Sequence, residues 1–354
     1  MKLLESLDVV FAKGAFARGF RYYTRRDIHE RRAGGVSLQQ APVVMRKLLK
    51  ERTLPHTAFI KPCEQPLFIG GITGRTGTTW VEEILRDQAS GTHEIISEIG
   101  FFDLSQFCGA PYEYYQRCSF PRDRMLYMNY FRNFVLRRAY FRNRRMRGGL
   151  RGLCDLLPQR GVKIALDHLQ KELCDVRSLE ECQLAFGRFY LWLFNFRSAI
   201  ADRKRWISKE PPYGRRADQL FAMVPNAKLI VMARDGRDTA LAMFRDGRHP
   251  TVRDAINLWR SFTNMALKAQ EQCPSTQYLV VRYEDLVLSF PEKINEIFNF
   301  FDIGGLDIFS LLQNPVLKPS TLTMRRWEAE MSKEDQAYFA ATCSSLMTSL
   351  GYDI

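Results

Sequence analysis

A short loop of glycines, threonines and one arginine is the feature of this 354-residue sequence that most directly indicates chemistry. It reads GRTGTT at residues 74–79, after an apolar run and before a helical pattern. Glycines allow the backbone to approach an anion closely, and the loop amides and the following helix N-terminus attract phosphate groups. The pattern therefore predicts a phosphate-binding loop, and a simple tight turn is the alternative.

The loop lacks the lysine of a Walker A motif. In that motif a Lys follows the second glycine and reaches the β- and γ-phosphates, and the next Ser or Thr holds Mg²⁺. Here Gly77 is followed by Thr78, and the nearest cation is Arg75, on the other side of the glycine. The loop taken alone is therefore weak evidence for a nucleotide site.

Apolar runs that alternate with helical patterns surround this loop. The run PLFIGGI begins at Pro66, and the runs at 205–208, 227–233 and 277–283 are each followed by a helical pattern. Strands alternating with helices predict a three-layer α/β fold, with a central, mostly parallel sheet and helices on both faces.

Two long segments outside these runs look helical. We expect an N-terminal helical extension at 1–64 and one α/β domain at 65–354, which carries a helical insert at about 104–203. Within the insert, the segment from Arg117 to Arg151 has eleven arginines and one acid, interleaved with aromatic residues. Such a segment is typical of an anion-binding surface. A solvated helical face with aromatics in the core is the alternative.

The composition is that of a globular protein with excess positive charge. Lys and Arg total 52 and Asp and Glu 39, and the net charge of +13 favours an anionic partner. No nucleic-acid fold signature is present, so we expect no nucleic-acid partner. The eight cysteines form no CxxC pair or Cys/His cluster, so no metal site is predicted. No secretory or spanning apolar stretch is found, and we expect a cytoplasmic protein whose basic segments could contact a membrane surface.

The loop and two later segments together resemble the sulfotransferases that use 3′-phosphoadenosine 5′-phosphosulfate (PAPS). Their 5′-phosphosulfate loop, [KR]-[ST]-G-T-T, corresponds to residues 75–79. A strand that ends in Arg, and then a helix, corresponds to NAKLIVMARDGRDTALAMF at 226–244. The third block corresponds to LVVRYEDLVLSFPEKINEI at 279–297. The three blocks occur in the same order as in the family. An Arg as the loop cation resembles the bacterial and tyrosylprotein-type branches more than the cytosolic branch.

This resemblance implies a P-loop-like fold and transfer of a sulfo group from PAPS to a hydroxyl or amine, on a small-molecule, lipid or glycan acceptor. It implies no metal. The residues that it implies for cofactor binding are Arg75, Thr76, Gly77, Thr78, Thr79, Trp80, Arg234, Tyr283, Lys318, Arg325 and Arg326. The residues that it implies for catalysis are Arg75, Lys209 and Glu98.

The resemblance also gives each cation a role. Arg75 would bridge the leaving oxygen and the sulfo group, and Lys209 stands at a strand end where the family has a second cation, although an exposed surface lysine is the alternative. Arg234 would bind the 3′-phosphate. The family's serine eight residues later is Ala242 here, so Thr239 or a backbone amide would have to replace its hydroxyl.

The general base and the adenine contacts are less sharply defined. Glu98 in HEIISEIGFF resembles the family's base, and Glu94 and His93 remain rivals. Glu284 and Asp285 are expected to be structural partners at the sheet end. Trp80 and Tyr283 stand where the family contacts adenine, or they are core aromatics.

Two other functions remain open. One is a P-loop phosphotransferase that uses ATP and Mg²⁺, against which the absent Walker lysine argues. The other is a non-catalytic anion-binding protein on the same scaffold, which the change at Ala242 favours.

Overall fold

A central parallel sheet organises the structure. The structure is a computed structural model that describes residues 65–96, 110–118, 120–141, 159–247 and 249–353. Its strands are β1 (Leu67–Gly71), β2 (His93–Ile96), β3 (Arg205–Lys209), β4 (Lys228–Ala233) and β5 (Tyr278–Arg282). They form a five-stranded sheet in the order β2-β3-β1-β4-β5, and every neighbouring pair is parallel. The carboxyl ends of all the strands therefore meet at one edge of the sheet, here called the carboxyl edge.

Helices connect the strands and continue after β5. In chain order they are α1 (Thr78–Ala89), α2 (Ala110–Arg117), α3 (Pro121–Phe141), α4 (Gln159–Asp175), α5 (Leu179–Ile200), α6 (Pro212–Arg215), α7 (Ala217–Met223), α8 (Gly236–Arg245), α9 (Val252–Gln270), α10 (Tyr283–Leu288), α11 (Phe290–Phe300), α12 (Ile308–Gln313), α13 (Trp327–Glu330) and α14 (Lys333–Ser349), with a 3₁₀ turn at Thr321–Thr323. No described helix has the length and apolar character needed to cross a membrane.

The two faces of the sheet bury two separate apolar cores. Successive side chains of a strand point to opposite faces, and in β1 Phe68 joins one core while Leu67 and Ile69 join the other. Every residue of β1 is buried. A sheet covered on both faces produces the continuous apolar runs seen in the sequence. The predicted three-layer α/β fold is thus confirmed for the described residues.

The strand predictions hold with one omission. The four apolar runs form β1, β3, β4 and β5, with bounds within two residues of those expected. The sequence does not predict β2, which has only four residues and begins with His93 and Glu94. Among the described strands, β2 lies at the end of the sheet and pairs with β3 alone.

The region between β2 and β3 contains α2 to α5, in agreement with the mainly helical insert that we expected. Helix α5 returns the chain to the amino end of β3: the Trp206 indole donates to Asn195 at 2.8 Å, and the Ser198 hydroxyl donates to the Arg205 carbonyl at 2.9 Å. Since α5 therefore runs opposite to β3, its first turns lie toward the carboxyl edge. The N-terminal extension at 1–64 lies outside the described residues.

Candidate functional site

The glycine-rich loop follows β1 directly at the carboxyl edge. Gly77 has φ 95° and precedes α1, a conformation that side chains rarely adopt. A Cβ at this position would also lie 2.7 Å from the ring of Tyr283. Glycine is therefore required here for two reasons, a left-handed backbone and the close approach of an aromatic ring. The Thr76 hydroxyl donates to the Thr73 carbonyl at 3.2 Å within the loop.

The amides of residues 74–79 point to an anion site. Among the described residues, none of these amides donates a hydrogen bond to another group of the chain, whereas Trp80 and Val81 donate to the Gly77 carbonyl. Thr76 and Thr78 are buried, whereas Arg75 and Thr79 are exposed. Buried amides without a partner in the chain require another acceptor. An oxyanion at the N-terminus of α1 would satisfy this requirement.

Lys209 is a buried cation at the carboxyl end of β3. Its side chain is 3% exposed, and its Nζ lies 3.0 Å from a carboxylate oxygen of Glu82 on α1. The same Nζ lies 3.5 Å from the Thr79 hydroxyl at the start of α1. The alternative of an exposed surface lysine is therefore wrong. The ammonium group stands next to the loop, as expected of a cation that acts on a bound oxyanion.

Arg234 joins three parts of the site. It follows β4, donates to the Arg75 carbonyl at 3.1 Å and also donates to the Thr323 carbonyl. Its guanidinium lies 4.9 Å from the centre of the Tyr283 ring, a cation–π distance. Its buried Nε has no hydrogen-bond partner among the described residues. Arg234 thus places a cation between the loop and the segment that contains the 3₁₀ turn.

The Arg75 side chain points to a carboxylate. It pairs with Asp246, the residue that follows α8, and remains 46% exposed. Arg75 also has φ 70°, another left-handed position in this loop. The structure therefore places the loop cation at the mouth of the site in an exposed ion pair.

The two aromatic candidates contact each other. The rings of Trp80 and Tyr283 are 5.8 Å apart and meet edge to face, and both side chains are half-buried. The Trp80 indole also stacks on Phe290 and donates to the Leu317 carbonyl at 2.8 Å. The Tyr283 and Thr323 hydroxyls are hydrogen-bonded at 2.9 Å. The pair borders both the core and the site, so either proposed role fits its position.

The late basic residues are held near Arg234 by Asp238. This buried carboxylate on α8 accepts hydrogen bonds from the Arg325 amide at 2.7 Å and the Trp327 amide at 3.1 Å. Burial is the main cause of its raised pKa. The Arg325 and Arg326 side chains are exposed and pair with the acids Glu328 and Glu330. Lys318 is also exposed.

The rival bases lie at the wrong end of the sheet. His93 is opposite Arg205, the first residue of β3. Lys209 lies four residues further along β3, or about 13 Å at the usual rise of a strand. Burial, and then the nearby Arg205, lower the pKa of His93 from 6.5 to about 4. Glu94 pairs with Arg197 of α5 at 3.0 Å. Glu98 lies outside the described residues.

Glu284 and Asp285 are structural, as predicted. Glu284 accepts from the Asp235 amide at 3.0 Å and from the Tyr352 hydroxyl at 2.7 Å. Asp285 accepts two hydrogen bonds from Arg282, at 3.0 and 2.7 Å. Together they tie β5, α8 and the C-terminal residues to one another.

At the position of the family serine, Ala242 is half-buried on α8. Thr239, which we considered as a replacement, is fully buried, and its hydroxyl has no partner among the described residues. In this arrangement the Thr239 hydroxyl does not reach the surface of the site.

Three acids of the site were missed in the sequence: Glu82, Asp238 and Asp246. Glu82 offered a signal, because it shares a helical face with the apolar residues Val81 and Leu85. Asp246 offered none, since its partner Arg75 lies 171 positions away. Among the described residues, no group of His, Cys, Asp and Glu could hold a metal ion.

The comparisons with known proteins show the family of this chain. Residues 66–307 match a model described as the sulfotransferase family. The sulfotransferase domain of the Synechococcus olefin synthase is 17% identical, with a TM-score of 0.50 over 82% of this chain and 95% of that one. Sulfotransferase STF9 of Mycobacterium avium is 15% identical, with a TM-score of 0.44 over 96% and 92%. A mouse sulfotransferase complexed with PAP is 12% identical, with a TM-score of 0.38 over 80% and 84%. No curated protein matches the sequence. The likeness to the Synechococcus domain shows a shared fold.

Proposed function

Because the chain belongs to the sulfotransferase family, we propose that it transfers a sulfo group from PAPS to a hydroxyl or amine. The co-product is 3′-phosphoadenosine 5′-phosphate (PAP). The acceptor is a small molecule, a lipid or a glycan, and the proposal includes no nucleic-acid partner. Sulfotransferase activity follows from the family, and the donor and acceptor are the parts that need a test.

One observation carries the proposal. Lys209 and Arg234, from the ends of two strands that flank β1, converge on the glycine-rich loop. Open α/β sheets bind their ligands at this edge. Two cations beside a loop of unpaired amides suit a nucleotide that carries two separate anionic groups, as PAPS does.

Each group has a distinct task in this proposal. The loop amides and the hydroxyls of Thr78 and Thr79 hold the 5′-phosphate. As the acceptor oxygen bonds to sulfur, the bond from sulfur to the phosphate oxygen breaks, and that oxygen keeps the electron pair. Arg75 and Lys209 stabilise the charge that develops there. In the other half of the site, Arg234 binds the 3′-phosphate, and Arg325 and Arg326 close over it.

The acceptor proton needs its own carrier. Glu98 takes this proton as the acceptor oxygen attacks. The structure offers a physical reason to prefer Glu98 to its rivals, since His93 and Glu94 lie toward the amino ends of the strands and Glu94 is paired with Arg197.

The chemistry needs no metal in this proposal. The developing charge falls on oxygens that amides, hydroxyls and fixed cations can contact directly. The loop also lacks the Lys-Ser/Thr pair with which Walker A loops bind nucleotide and Mg²⁺. Transfer should therefore continue in EDTA.

The cofactor assignment is tested by titration calorimetry with PAP, ATP and AMP. We expect PAP to bind more tightly than ATP or AMP, and Arg234→Ala to remove that preference. Arg253→Ala serves as the control, because Arg253 pairs with Glu334 on the surface. Equal binding of PAP and ATP, with an Mg²⁺-dependent ATPase activity, would instead indicate the phosphotransferase. Tight binding of PAP without turnover of PAPS on any acceptor would indicate the non-catalytic anion-binding protein.

A further inference from the structure

A cavity lies in the helical insert. Helix α2 packs against the last turn of α4 and the turn that follows it. The Tyr114 hydroxyl donates to the Leu173 carbonyl and the Tyr115 hydroxyl to the Arg177 carbonyl, each at 3.2 Å. The cavity at this junction has a volume of about 420 Å³ and is lined by Tyr114, Tyr115, Cys118, Arg124, Val176 and Arg177. This volume is in the range of small-molecule sites.

Two arginines give the cavity its charge. Arg124 is fixed by its Nε, which donates to the Cys118 carbonyl at 2.9 Å. Within the described part of the chain, neither Arg124 nor Arg177 forms an ion pair with a carboxylate, whereas Arg132 and Arg188 of the same insert pair with Asp167 and Glu172.

The acid that contacts the Arg177 backbone is already engaged. The Glu181 carboxylate accepts from the Arg177 amide at 2.7 Å, while the Ser178 hydroxyl caps α5 by accepting from the Glu181 amide at 3.1 Å. Burial raises the pKa of Tyr114 to about 12, so its hydroxyl stays neutral and adds no negative charge. The lining of the cavity thus combines two arginines without a carboxylate partner among the described residues with tyrosine and valine.

We infer that this cavity binds an oxyanion group of the acceptor, a phosphate, sulfate or carboxylate attached to an apolar or aromatic body. Guanidinium groups suit such anions because they present several donors in a plane. Tyr114, Tyr115 and Val176 provide apolar surface for the body next to the anion. The inference rests on the proposed function, which it deepens by defining the acceptor class.

The topology places the cavity beyond the carboxyl edge. Asn195 of α5 is level with Trp206 of β3, and Arg177 precedes Asn195 by eighteen residues, or about 27 Å of helix. Lys209 lies three residues after Trp206 in the same direction, or about 10 Å. The cavity and Lys209 are therefore separated by roughly 17 Å along the strand direction. An acceptor that uses both must be extended, with its anion remote from the hydroxyl that receives the sulfo group.

The test is calorimetry with 1-naphthyl phosphate as the probe and 1-naphthol as its uncharged counterpart. PAP is first titrated alone and then kept at saturation, so that the nucleotide site cannot take the probe. We expect 1-naphthyl phosphate to bind, and Arg177→Gln and Arg124→Gln each to weaken its binding at least tenfold. Arg188→Gln makes the same charge change outside the cavity and should leave binding unchanged. The affinity for PAP shows whether each variant is folded.

The outcomes separate this inference from the proposed function. Unchanged probe binding in folded Arg177→Gln and Arg124→Gln, equal binding of 1-naphthol, or no binding of the probe would overturn the oxyanion site. Failure of PAP to bind would count against the proposed donor instead. If PAP does not bind, 1-naphthyl phosphate is titrated without it. Weaker binding in Arg177→Gln but not in Arg188→Gln would still support the oxyanion site, and equal binding in both would overturn it.

Discussion

The Nζ of Lys209 lies 3.0 Å from the Glu82 carboxylate, and the two side chains are only 3% and 4% exposed. Glu82 also accepts a hydrogen bond from Arg86 at 2.7 Å. A buried ion pair places a charge accurately, although its net contribution to stability can be small. Through Glu82, helix α1 positions the ammonium group beside the loop that the same helix follows.

Removal of one partner of this pair should destabilise the protein unequally. Glu82→Gln takes the carboxylate from a buried ammonium, and we expect a loss of about 3 kcal/mol in the free energy of unfolding. Lys209→Met leaves Glu82 with Arg86, and we expect a smaller loss, about 1 kcal/mol. Urea unfolding of the two variants measures the difference. Equal losses, or a greater loss in Lys209→Met, would show that Glu82 does not hold the lysine in this way.

Gly77→Ala should damage the loop, whereas Gly74→Ala should not. The Gly77 substitution adds a Cβ at φ 95° and 2.7 Å from the Tyr283 ring, so we expect a loss of about 1–2 kcal/mol and at least tenfold weaker binding of PAP. At Gly74 a Cβ would meet nothing within 4 Å, so the free energy of unfolding should change by less than about 0.5 kcal/mol. Thermal unfolding and calorimetry give both quantities. The loop geometry described here would be wrong if the two variants were equally stable.

The low pKa of His93 predicts a dependence of stability on acid. His93 is neutral in the folded state until about pH 4, whereas in the unfolded state it gains a proton near its ordinary pKa of 6.5. The unfolded state therefore binds more protons in this window, and stability falls as the pH decreases from 6.5 toward 4. His93→Gln should remove this part of the dependence in urea titrations at several pH values. An unchanged slope between pH 6.5 and 4 would contradict the assignment.

Asp238→Asn should loosen the segment that contains Arg325 and Trp327, here called the late segment. Asp238 accepts hydrogen bonds from two backbone amides of that segment. An asparagine keeps one acceptor oxygen, but its NH₂ group would face the second backbone N–H, and two donors cannot form a hydrogen bond. We expect a loss of about 1–3 kcal/mol in the free energy of unfolding and a severalfold weaker affinity for PAP.

The control for this variant is Asp307→Asn. Asp307 also accepts from a backbone amide, that of Ser310, at 3.0 Å, but it does so at the start of α12 on the surface. Its substitution should not affect the affinity for PAP. If Asp238→Asn bound PAP as tightly as the wild type does, the late segment would have no part in nucleotide binding.

The sequence predicted the central sheet well because burial on both faces leaves a continuous apolar signal in β1, β3 and β4. The short strand β2 leaves no such signal. Its four residues include a histidine and a glutamate, which are tolerated because His93 is buried without charge and Glu94 meets Arg197. Neither compensation is visible in the local sequence.

The site was predicted in part for a similar reason. Arg75, Lys209 and Arg234 stand in local patterns, a loop and two strand ends, and the structure brings all three to the carboxyl edge. Asp246, the acidic partner of Arg75, and the anchor Asp238 act through contacts between distant parts of the chain, which spacing does not reveal. Glu82 could have been found, since a charged residue on the apolar face of a helix requires a partner.

The proposed sulfo transfer is tested most directly by following ³⁵S from labelled PAPS to a panel of phenols, lipids and oligosaccharides in the presence of EDTA. We predict a labelled product with the wild type and with Arg253→Met, and a rate at least about 100-fold lower with Lys209→Met, whose affinity for PAP should stay within a few-fold of the wild type. Equal rates in Lys209→Met and the wild type would contradict the role of Lys209, and transfer that requires Mg²⁺ would contradict metal-independent transfer from PAPS.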